Sequence, residues 1–222
     1  MAVNPLQRRN NALEIGLLLR TYPGLRLRPV ADDRLKIAGT LTFSASVRRF
    51  GEIADSFEIE VCVPEAFPDE LPTARETGGR VPRTYHTNPD GTLCLGSPTA
   101  QRLHLVERPT VLAFIQNCVI PYFYGFVYFE NHGKLPLGEL AHGWKGIRQD
   151  YADLFGLKAE TVAVVEMVRL ASIKKRVANK FPCPCGSGRR LGKCHNRTAN
   201  VYRSKLGRRW FSNEYRSLVG ED

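Results

Sequence analysis

The sequence predicts an α+β protein in which an antiparallel sheet is flanked by helices and followed by a small metal-binding knuckle. Two runs of alternating apolar and polar residues, at 35–43 and 57–63, predict neighbouring strands with one buried face. Three cysteines and one histidine within residues 183–195 predict the knuckle. With 222 residues, of which 43% are apolar, the chain is long enough for one well-packed domain and an appendage.

Capping, turn and proline residues predict the elements around this sheet. A first helix is expected to begin after Asn10 or Asn11, either of which can cap it, and to end near Tyr22. The two alternating runs are then expected to pair through a turn at residues 48–51. The segment at residues 64–72 is rich in proline, and it is expected to form neither a regular helix nor a central strand.

Two further helices are expected in the second half of the chain. Thr110 is predicted to cap a helix, and the aromatic run at residues 122–129 that follows is expected to lie in the core. Another helix is predicted from about residue 159 to residue 176. It ends in Lys174-Lys175-Arg176, whose positive charges suit the C-terminal end of a helix.

The net charge of +10 is confined to the last quarter of the chain. Residues 1–170 hold 19 Lys/Arg and 19 Asp/Glu, whereas residues 171–222 hold 13 Lys/Arg and 3 Asp/Glu. A neutral body with a basic tail predicts an acidic partner for the tail, either a nucleic acid or an acidic protein face, unless the tail is merely solvated. No apolar run is long enough for a membrane span, so no membrane partner is expected.

The six cysteines predict a reducing compartment. Three of them lie close together near the C-terminus and three are scattered, which does not match an extracellular disulfide framework. Residues 1–20 are not expected to be a signal peptide, because Glu14 interrupts their apolar stretch and no cleavage site of small residues follows it. The protein is therefore expected in the cytoplasm.

The knuckle has the spacing C-x-C-x8-C-H. Its candidate ligands are Cys183, Cys185, Cys194 and His195. Three thiolates and one imidazole are a tetrahedral zinc set, and four protein ligands close the site, so a structural Zn²⁺ is expected rather than a catalytic one. The pattern C-P-C-G-S-G followed by C-H resembles the SEC-C motif, which occurs in the tail of the SecA translocation motor. That resemblance implies a docking role for the knuckle.

Cys94 stands apart from these ligands. It follows a strong turn signal, Asn88-Pro89-Asp90-Gly91, and has His86 upstream. A thiol that exchanges acyl groups needs solvent access, and a surface turn supplies it. It also needs a hydrogen-bond donor for the oxyanion of the tetrahedral intermediate, which an Asn amide or a His N–H can provide. Cys62 and Cys118 are expected to be structural, since one lies in a strand and the other on a helix face.

The segment that precedes Cys94 resembles the ubiquitin-conjugating enzymes. A strand at residues 57–63 leads to P-E-A-F-P-D-E-L-P, then to Y-H-T-N at residues 85–88 and to D-G-T-L-C-L at residues 90–95. In that family a strand leads to P-x-x-Y-P-x-x-x-P, then to H-P-N and to G-x-I-C-L with the catalytic cysteine. The resemblance implies a ubiquitin-conjugating-like meander sheet with flanking helices, and a thioester on Cys94.

The resemblance leaves the oxyanion donor open. H-T-N replaces H-P-N, and the span from His86 to Cys94 is two residues shorter than is usual in the family. Aligned by motif, Asn88 is the donor, whereas by distance from the cysteine His86 takes that place. Both remain candidates at this stage, with a slight preference for His86.

The size of the chain and its bacterial-type region after Cys94 resemble the stand-alone conjugating protein of short type II CBASS anti-phage operons. This resemblance implies an acyl donor, the C-terminus of a cyclic-nucleotide synthase (CD-NTase), and an acceptor protein of unknown identity. Two other readings remain: a non-catalytic adaptor of the same fold, and a nucleic-acid-binding protein that uses the basic tail and the knuckle.

The predicted organisation has four parts. Residues 1–157 form the ubiquitin-conjugating-like domain and residues 158–180 a helical connector. Residues 181–197 form the SEC-C-type knuckle, and residues 198–222 the basic tail.

Overall fold

The computed structural model describes residues 14–29, 34–136 and 143–220. The chain divides into two compact units, Met1–Glu139 and Leu140–Asp222. Residues 140–157, which the sequence analysis placed in the first domain, lie in the second unit. Each unit has its own buried residues and is described separately.

The N-terminal unit is built on a four-stranded sheet. Its strands are β1 (Leu25–Arg28), β2 (Leu35–Val47), β3 (Gly51–Val63) and β4 (Thr73–Glu76). Their order in the sheet is the order in the chain, and every neighbouring pair is antiparallel, so the sheet is a meander. The prediction of an antiparallel sheet flanked by helices is therefore confirmed.

The long hairpin of β2 and β3 follows the alternation seen in the sequence. Leu41 pairs with Phe57 and Leu35 with Val63, so apolar side chains oppose one another on one face of the sheet. These four side chains are buried, which sets the register, because a slip of one residue would expose the whole apolar row. The turn predicted at residues 48–51 closes the hairpin.

A glycine interrupts the apolar row of β2 for a steric reason. Gly39 has a φ of 133°, and a Cβ at this position would overlap the carbonyl oxygen of Gly24. The chain entering β1 therefore approaches β2 more closely than any side chain would permit.

Among the residues that the structure describes, three helices accompany the sheet of the N-terminal unit. They are α1 (Ile15–Thr21), α2 (Pro98–His104) and α3, which is continuous over Val111–His132 and contains a π-helical segment at Ile115–Val119. The capping residues Asn10 and Asn11 proposed for α1 lie outside the described residues. Thr110 caps α3 as predicted, because its hydroxyl accepts a hydrogen bond of 3.2 Å from the N–H of Ala113.

The helix α3 continues through Pro121, which lacks the N–H that an α-helix would use. The π-helical segment ends just before this proline, where the hydrogen-bonding pattern of the helix changes.

Of the helices that the structure describes, α3 alone has the length and the apolar composition that a membrane span requires. Because 72% of its apolar window is buried inside the protein, α3 has the character of a core helix.

Aromatic residues of α3 form the centre of the N-terminal core, as the sequence predicts. The ring of Phe123 stacks on Phe57 of β3 with 4.1 Å between centroids. Arg80 covers the same Phe57 ring at 4.6 Å and pairs with Asp55 at 2.8 Å and Glu130 at 2.7 Å. Sheet and helix are thus joined by stacked rings in the core and by a charged cluster at its edge.

The C-terminal unit is helical around the knuckle. Its helices are α4 (Gly143–Phe155), α5 (Thr161–Ser172), α6 (Lys175–Ala178) and α7 (Asn196–Gly220), and α7 is broken at Gly207, where φ is 82°. Tyr151, Phe155 and Phe211 are fully buried in this unit. The segment predicted as a basic tail is therefore a packed helix.

The predicted helix over residues 159–176 is too long. Ile173 is extended, with φ −96° and ψ 167°, so α5 ends at Ser172 and the three cations at 174–176 lie beyond its end. The guanidinium of Arg203 from α7 donates to the carbonyls of Leu170 at 2.8 Å and Ala171 at 3.0 Å. A cation distant in sequence thus caps the helix, which no local pattern indicates.

Phe123→Ala is expected to reduce the free energy of unfolding of the N-terminal unit by about 3–5 kcal/mol, because it removes a fully buried ring and leaves a cavity. Phe129→Ala is the matched control. The Phe129 ring is 40% exposed, and its loss is expected to be about 1 kcal/mol. Urea denaturation measures both changes, and equal losses would contradict the assigned core.

Candidate functional site

A short antiparallel turn carries Cys94. Thr87 and Leu93 form a β-bridge, the N–H of Asn88 donates to the carbonyl of Thr92 at 2.8 Å, and the N–H of Cys94 donates to the carbonyl of His86 at 2.7 Å. His86 and Cys94 therefore lie directly opposite each other across the turn. The sequence predicted the turn, and the structure brings these two candidate residues together.

Leu93 fixes this turn to the sheet. Its side chain is 5% exposed within the core, and its N–H donates to the carbonyl of Ala74 in β4 at 2.8 Å. Leu95 packs against the same core from the other side of the cysteine. The two leucines therefore anchor the segment, and Cys94, between them, is half-buried rather than enclosed.

The tip of the turn is held by hydrogen bonds to Asp90. Its carboxylate accepts from the N–H of Thr92 at 3.0 Å and from the Thr92 hydroxyl at 2.7 Å. These bonds, foremost the one from the backbone N–H, lower the pKa of Asp90. Asp90 is thus held as a carboxylate, as expected for an Asx-type turn.

Asn88 is committed to the same turn. Its side-chain nitrogen donates to the hydroxyl of Thr92 at 2.9 Å and to the carbonyl of Leu93 at 3.4 Å. The amide therefore braces the turn one residue before the thiol.

His86 adopts a left-handed backbone conformation with φ 37°. This conformation costs a residue with a side chain on the order of 1 kcal/mol, and residues held in this way are frequent at functional sites. The imidazole lies edge-on to the buried ring of Tyr85, with 4.8 Å between centroids. The conformation of His86 is thus fixed by packing and by the bond from Cys94.

Tyr122 is a neighbour of this turn that the sequence analysis did not identify. Its hydroxyl donates to the carbonyl of Tyr85 at 3.0 Å, and the Thr87 hydroxyl donates to the same oxygen at 2.9 Å. Burial raises the pKa of Tyr122, with a smaller contribution from the nearby Cys94. Tyr122 lies in α3, 28 positions after Cys94 in the printed sequence, so no local motif links them.

The three cysteines of the N-terminal unit differ in their surroundings. Burial raises the pKa of Cys118 to about 12, and this thiol is 5% exposed on α3. Cys62 is half-buried in β3, and its Sγ lies 3.9 Å from a carboxylate oxygen of Glu60. Cys94 combines partial exposure with a turn at the edge of the sheet.

An open cleft of about 430 Å³ borders the turn. Thr87, Gly91 and Leu93 form one wall, and Arg75 and Arg83 contribute guanidinium groups to its lining. Such a cleft is wide enough for an extended peptide segment. Its lining also contains Glu76, and Arg75 is paired with Asp90 at 3.8 Å, so the cleft has groups of both charges.

The knuckle brings its four predicted ligands together. The ligand atoms of Cys183, Cys185, Cys194 and His195 all lie within 4.8 Å of one another. Nδ1 of His195 is 3.2 Å from Sγ of Cys183 and 3.3 Å from Sγ of Cys194, and the Sγ atoms of Cys185 and Cys194 are 3.5 Å apart. Ligand atoms of tetrahedral zinc are about 3.5–3.8 Å apart, so these residues fit such an ion.

The backbone of the knuckle explains this convergence. Pro182 and Arg190 form a β-bridge, and the N–H of Cys183 donates to the carbonyl of Arg189 at 2.8 Å. Gly186 and Gly188 have φ values of 75° and 70°, which allow the tight reversal between the two arms. The spacing C-x-C-x8-C-H thus becomes a closed loop around one point.

The thiols of the knuckle are inequivalent. Burial raises the pKa of Cys183 to about 11, whereas a hydrogen bond from the Ser187 side chain lowers the pKa of Cys185 to about 6. The guanidinium of Arg189 donates a hydrogen bond of 3.4 Å to Sγ of Cys194. A bound divalent cation would favour the thiolate form of all three cysteines.

Comparison with known proteins identifies the knuckle. The model of the SEC-C motif family matches residues 182–197, which contain all four candidate ligands. No curated protein and no solved structure matches the chain. The resemblance of the knuckle to the SEC-C motif is therefore confirmed, and the chain has a SEC-C motif with a Cys₃His cluster that can hold a metal ion.

Proposed function

We propose that the N-terminal unit is a ubiquitin-conjugating-like transferase that carries an acyl group as a thioester on Cys94. The observation that supports this most is the half-buried Cys94 thiol lying directly across a fixed turn from a left-handed His86. The order of elements supports it further. A helix, the first three strands of the meander, the proline-rich segment, the fourth strand, the turn and two helices follow one another, which agrees with the order that the sequence resemblance implies.

The proposed reaction is acyl exchange. The Cys94 thiolate attacks the carbonyl carbon of an activated acyl group, itself a thioester at the C-terminus of a partner protein. A carbon–sulfur bond to Cys94 forms, the departing thiolate takes the electron pair of the bond that breaks, and a proton from solvent neutralises it. An amine or a second thiol then attacks the Cys94 thioester in the same way, and Cys94 leaves as thiolate.

His86 and Asn88 are proposed to act differently. The amide of Asn88 donates to Thr92 and Leu93, so its role is to hold the turn that positions the thiol. His86, across from Cys94, is the proposed donor to the oxyanion of the tetrahedral intermediate. The neighbouring cleft with Arg75 and Arg83 is the proposed place for the segment that carries the acyl group.

The partner is proposed from the sequence resemblance. The short type II CBASS operons pair such a protein with a cyclic-nucleotide synthase, so the proposed acyl donor is the synthase C-terminus, and the proposed compartment is the bacterial cytoplasm. The acceptor is a protein amine or thiol. A non-catalytic adaptor of the same fold is the competing function, and it requires no chemistry at Cys94.

The knuckle is proposed to bind one structural Zn²⁺ ion. Cys183, Cys185, Cys194 and His195 supply four ligands at distances that suit a tetrahedron, and no position is left for a water nucleophile. When bound, zinc would stabilise the loop in which residues 182–197 converge. The knuckle would then serve as a rigid docking element rather than as a catalytic centre.

Substitutions at Cys94 separate the two functions. When the protein is co-expressed with its operon neighbours, the wild type is expected to form an adduct that hydroxylamine removes. Cys94→Ser is expected to form an oxyester adduct that survives mild treatment with a thiol, because an oxyester exchanges with thiols far more slowly than a thioester. Cys94→Ala is expected to form none. Cys62→Ala is the matched control, and it should retain the labile adduct.

Non-reducing gels and intact mass measurements detect these adducts. An adduct that persists in Cys94→Ala would refute the proposed nucleophile. If Cys94→Ala loses the adduct but keeps partner binding and pathway activity, the adaptor function is correct instead.

Substitutions of His86 and Asn88 are expected to have different effects, one on the reaction rate and the other on stability. His86→Ala should lower the single-turnover rate of thioester formation by about 10²–10³-fold with a small change in stability, as expected for loss of an oxyanion donor. Asn88→Ala should lower the free energy of unfolding by about 1 kcal/mol through lost hydrogen bonds. The assignment of roles would be reversed if Asn88→Ala slowed the reaction more than His86→Ala did.

Zinc binding has a direct test in the metal content of the purified protein. Elemental analysis is expected to find about one zinc ion per chain, and Cys185→Ser should remove most of it because a ligand is lost. Cys62→Ser should retain it. Zinc release is expected as the pH falls, since protons compete for the thiolates. Unchanged zinc in Cys185→Ser would contradict the ligand set.

A further inference from the structure

A second site lies in the C-terminal unit, outside the SEC-C motif. A shallow, open groove of about 590 Å³ runs where the chain passes from α5 to α6 and along one side of α7. Its lining consists of Lys174, Lys175, Asn200, Arg203, Ser204 and Arg208. Every one of these side chains can donate a hydrogen bond, four of them are cationic, and none is apolar or acidic.

Within the part of the unit that the structure describes, no acidic side chain neutralises the positive charge of this groove. Among the residues that the structure describes, no carboxylate pairs with Lys174, Lys175, Arg203 or Arg208, whereas Arg169 nearby is paired with Glu166 at 2.7 Å. Lys174, Lys175 and Arg208 are exposed to solvent. Four like charges around one concave surface raise the local positive potential and attract anions.

Arg203 has a structural role that accounts for part of this cluster. It donates to the carbonyls of Leu170 and Ala171 at the end of α5, and its guanidinium is half-buried. Burial lowers the pKa of Arg203, and the neighbouring charge of Arg208 adds to that effect. The exposed ammonium groups of Lys174 and Lys175 and the guanidinium of Arg208 make none of these helix-capping bonds and remain available to a ligand.

We propose that this groove binds the phosphate backbone of a nucleic acid without sequence preference. Lys, Arg, Asn and Ser are the side chains that contact phosphates, and the groove holds no aromatic side chain that would stack on a base. No apolar residue lines the groove, and the apolar part of its surface consists of the aliphatic carbons of these polar residues, which suits an ionic partner better than an apolar protein interface. The groove is open along its length, which suits a chain of phosphates better than a single small anion.

The charge of the surrounding sequence supports an extended ligand. Residues 171–222 hold 13 Lys/Arg against 3 Asp/Glu, and the exposed cations Arg189, Arg190 and Lys193 of the knuckle belong to the same unit. The inference does not depend on the transferase, because none of these residues belongs to the Cys94 turn. Its failure would leave the proposed transferase intact, and the converse also holds.

The test uses the full-length protein and a fluorescently labelled 20-nucleotide single-stranded RNA, followed by anisotropy at several salt concentrations. The groove variant is Lys174→Glu/Lys175→Glu/Arg208→Glu. It is expected to bind at least ten-fold more weakly at 50 mM salt. The slope of log affinity against log salt should fall in magnitude by about 2, since three phosphate contacts are lost.

The matched control is Arg48→Glu/Arg49→Glu/Lys134→Glu, which changes the net charge equally at exposed positions of the N-terminal unit. It should weaken binding less than three-fold. A milder groove variant, Lys174→Gln/Lys175→Gln/Arg208→Gln, guards against misfolding, and it should show an intermediate loss with an unchanged circular dichroism spectrum.

Three outcomes would overturn the proposal. The wild type could fail to bind RNA, the control could lose as much affinity as the groove variant, or a labelled poly-glutamate peptide could bind more tightly than the RNA. The last outcome would assign the groove to an acidic protein. Cys94→Ala should bind RNA as the wild type does, which keeps this test separate from that of the transferase.

Discussion

Backbone hydrogen bonds at Leu93 and Cys94 hold the turn on which the proposed activity of the N-terminal unit depends. The N–H of Leu93 is tied to Ala74 at the sheet edge, and the N–H of Cys94 is tied to His86 across the turn. Because side chains alternate along an extended chain, burial of Leu93 directs its neighbour towards the opposite side. The access of the thiol is thus a consequence of the packing of the leucine before it.

The cysteines of this protein lie in three different kinds of environment. Cys118 is buried, and the resulting rise in pKa keeps it a neutral thiol within the core. Cys94 lies at a turn where a reacting carbonyl can approach. The ligand atoms of the knuckle cysteines and of His195 lie close together, so a bound metal ion would coordinate these thiolates and make them poor nucleophiles. Burial and neighbours, rather than residue type, separate the core cysteine from the proposed nucleophile and from the candidate metal ligands.

Local patterns predicted much of this structure. The alternation in β2 and β3, the Thr110 cap and the C-x-C-x8-C-H spacing each depend on residues close in sequence. The strands β1 and β4 were not predicted, since four residues are too short to show alternation. The end of α5 depends on Arg203, and the surroundings of Cys94 depend on Tyr122; both lie far along the chain. Sequence spacing also left His86 and Asn88 as alternatives, whose different hydrogen bonds only the folded turn reveals.

Tandem mass spectrometry of the tryptic peptide spanning residues 84–102 tests the proposed transferase most directly, because this peptide contains Cys94 as its one cysteine. In protein isolated with its partners, we expect the C-terminal residues of the partner to be attached to Sγ of Cys94. An unmodified 84–102 peptide under conditions where the pathway is active, with the partner instead attached to peptides that contain a lysine or a knuckle cysteine or to none, would contradict the account.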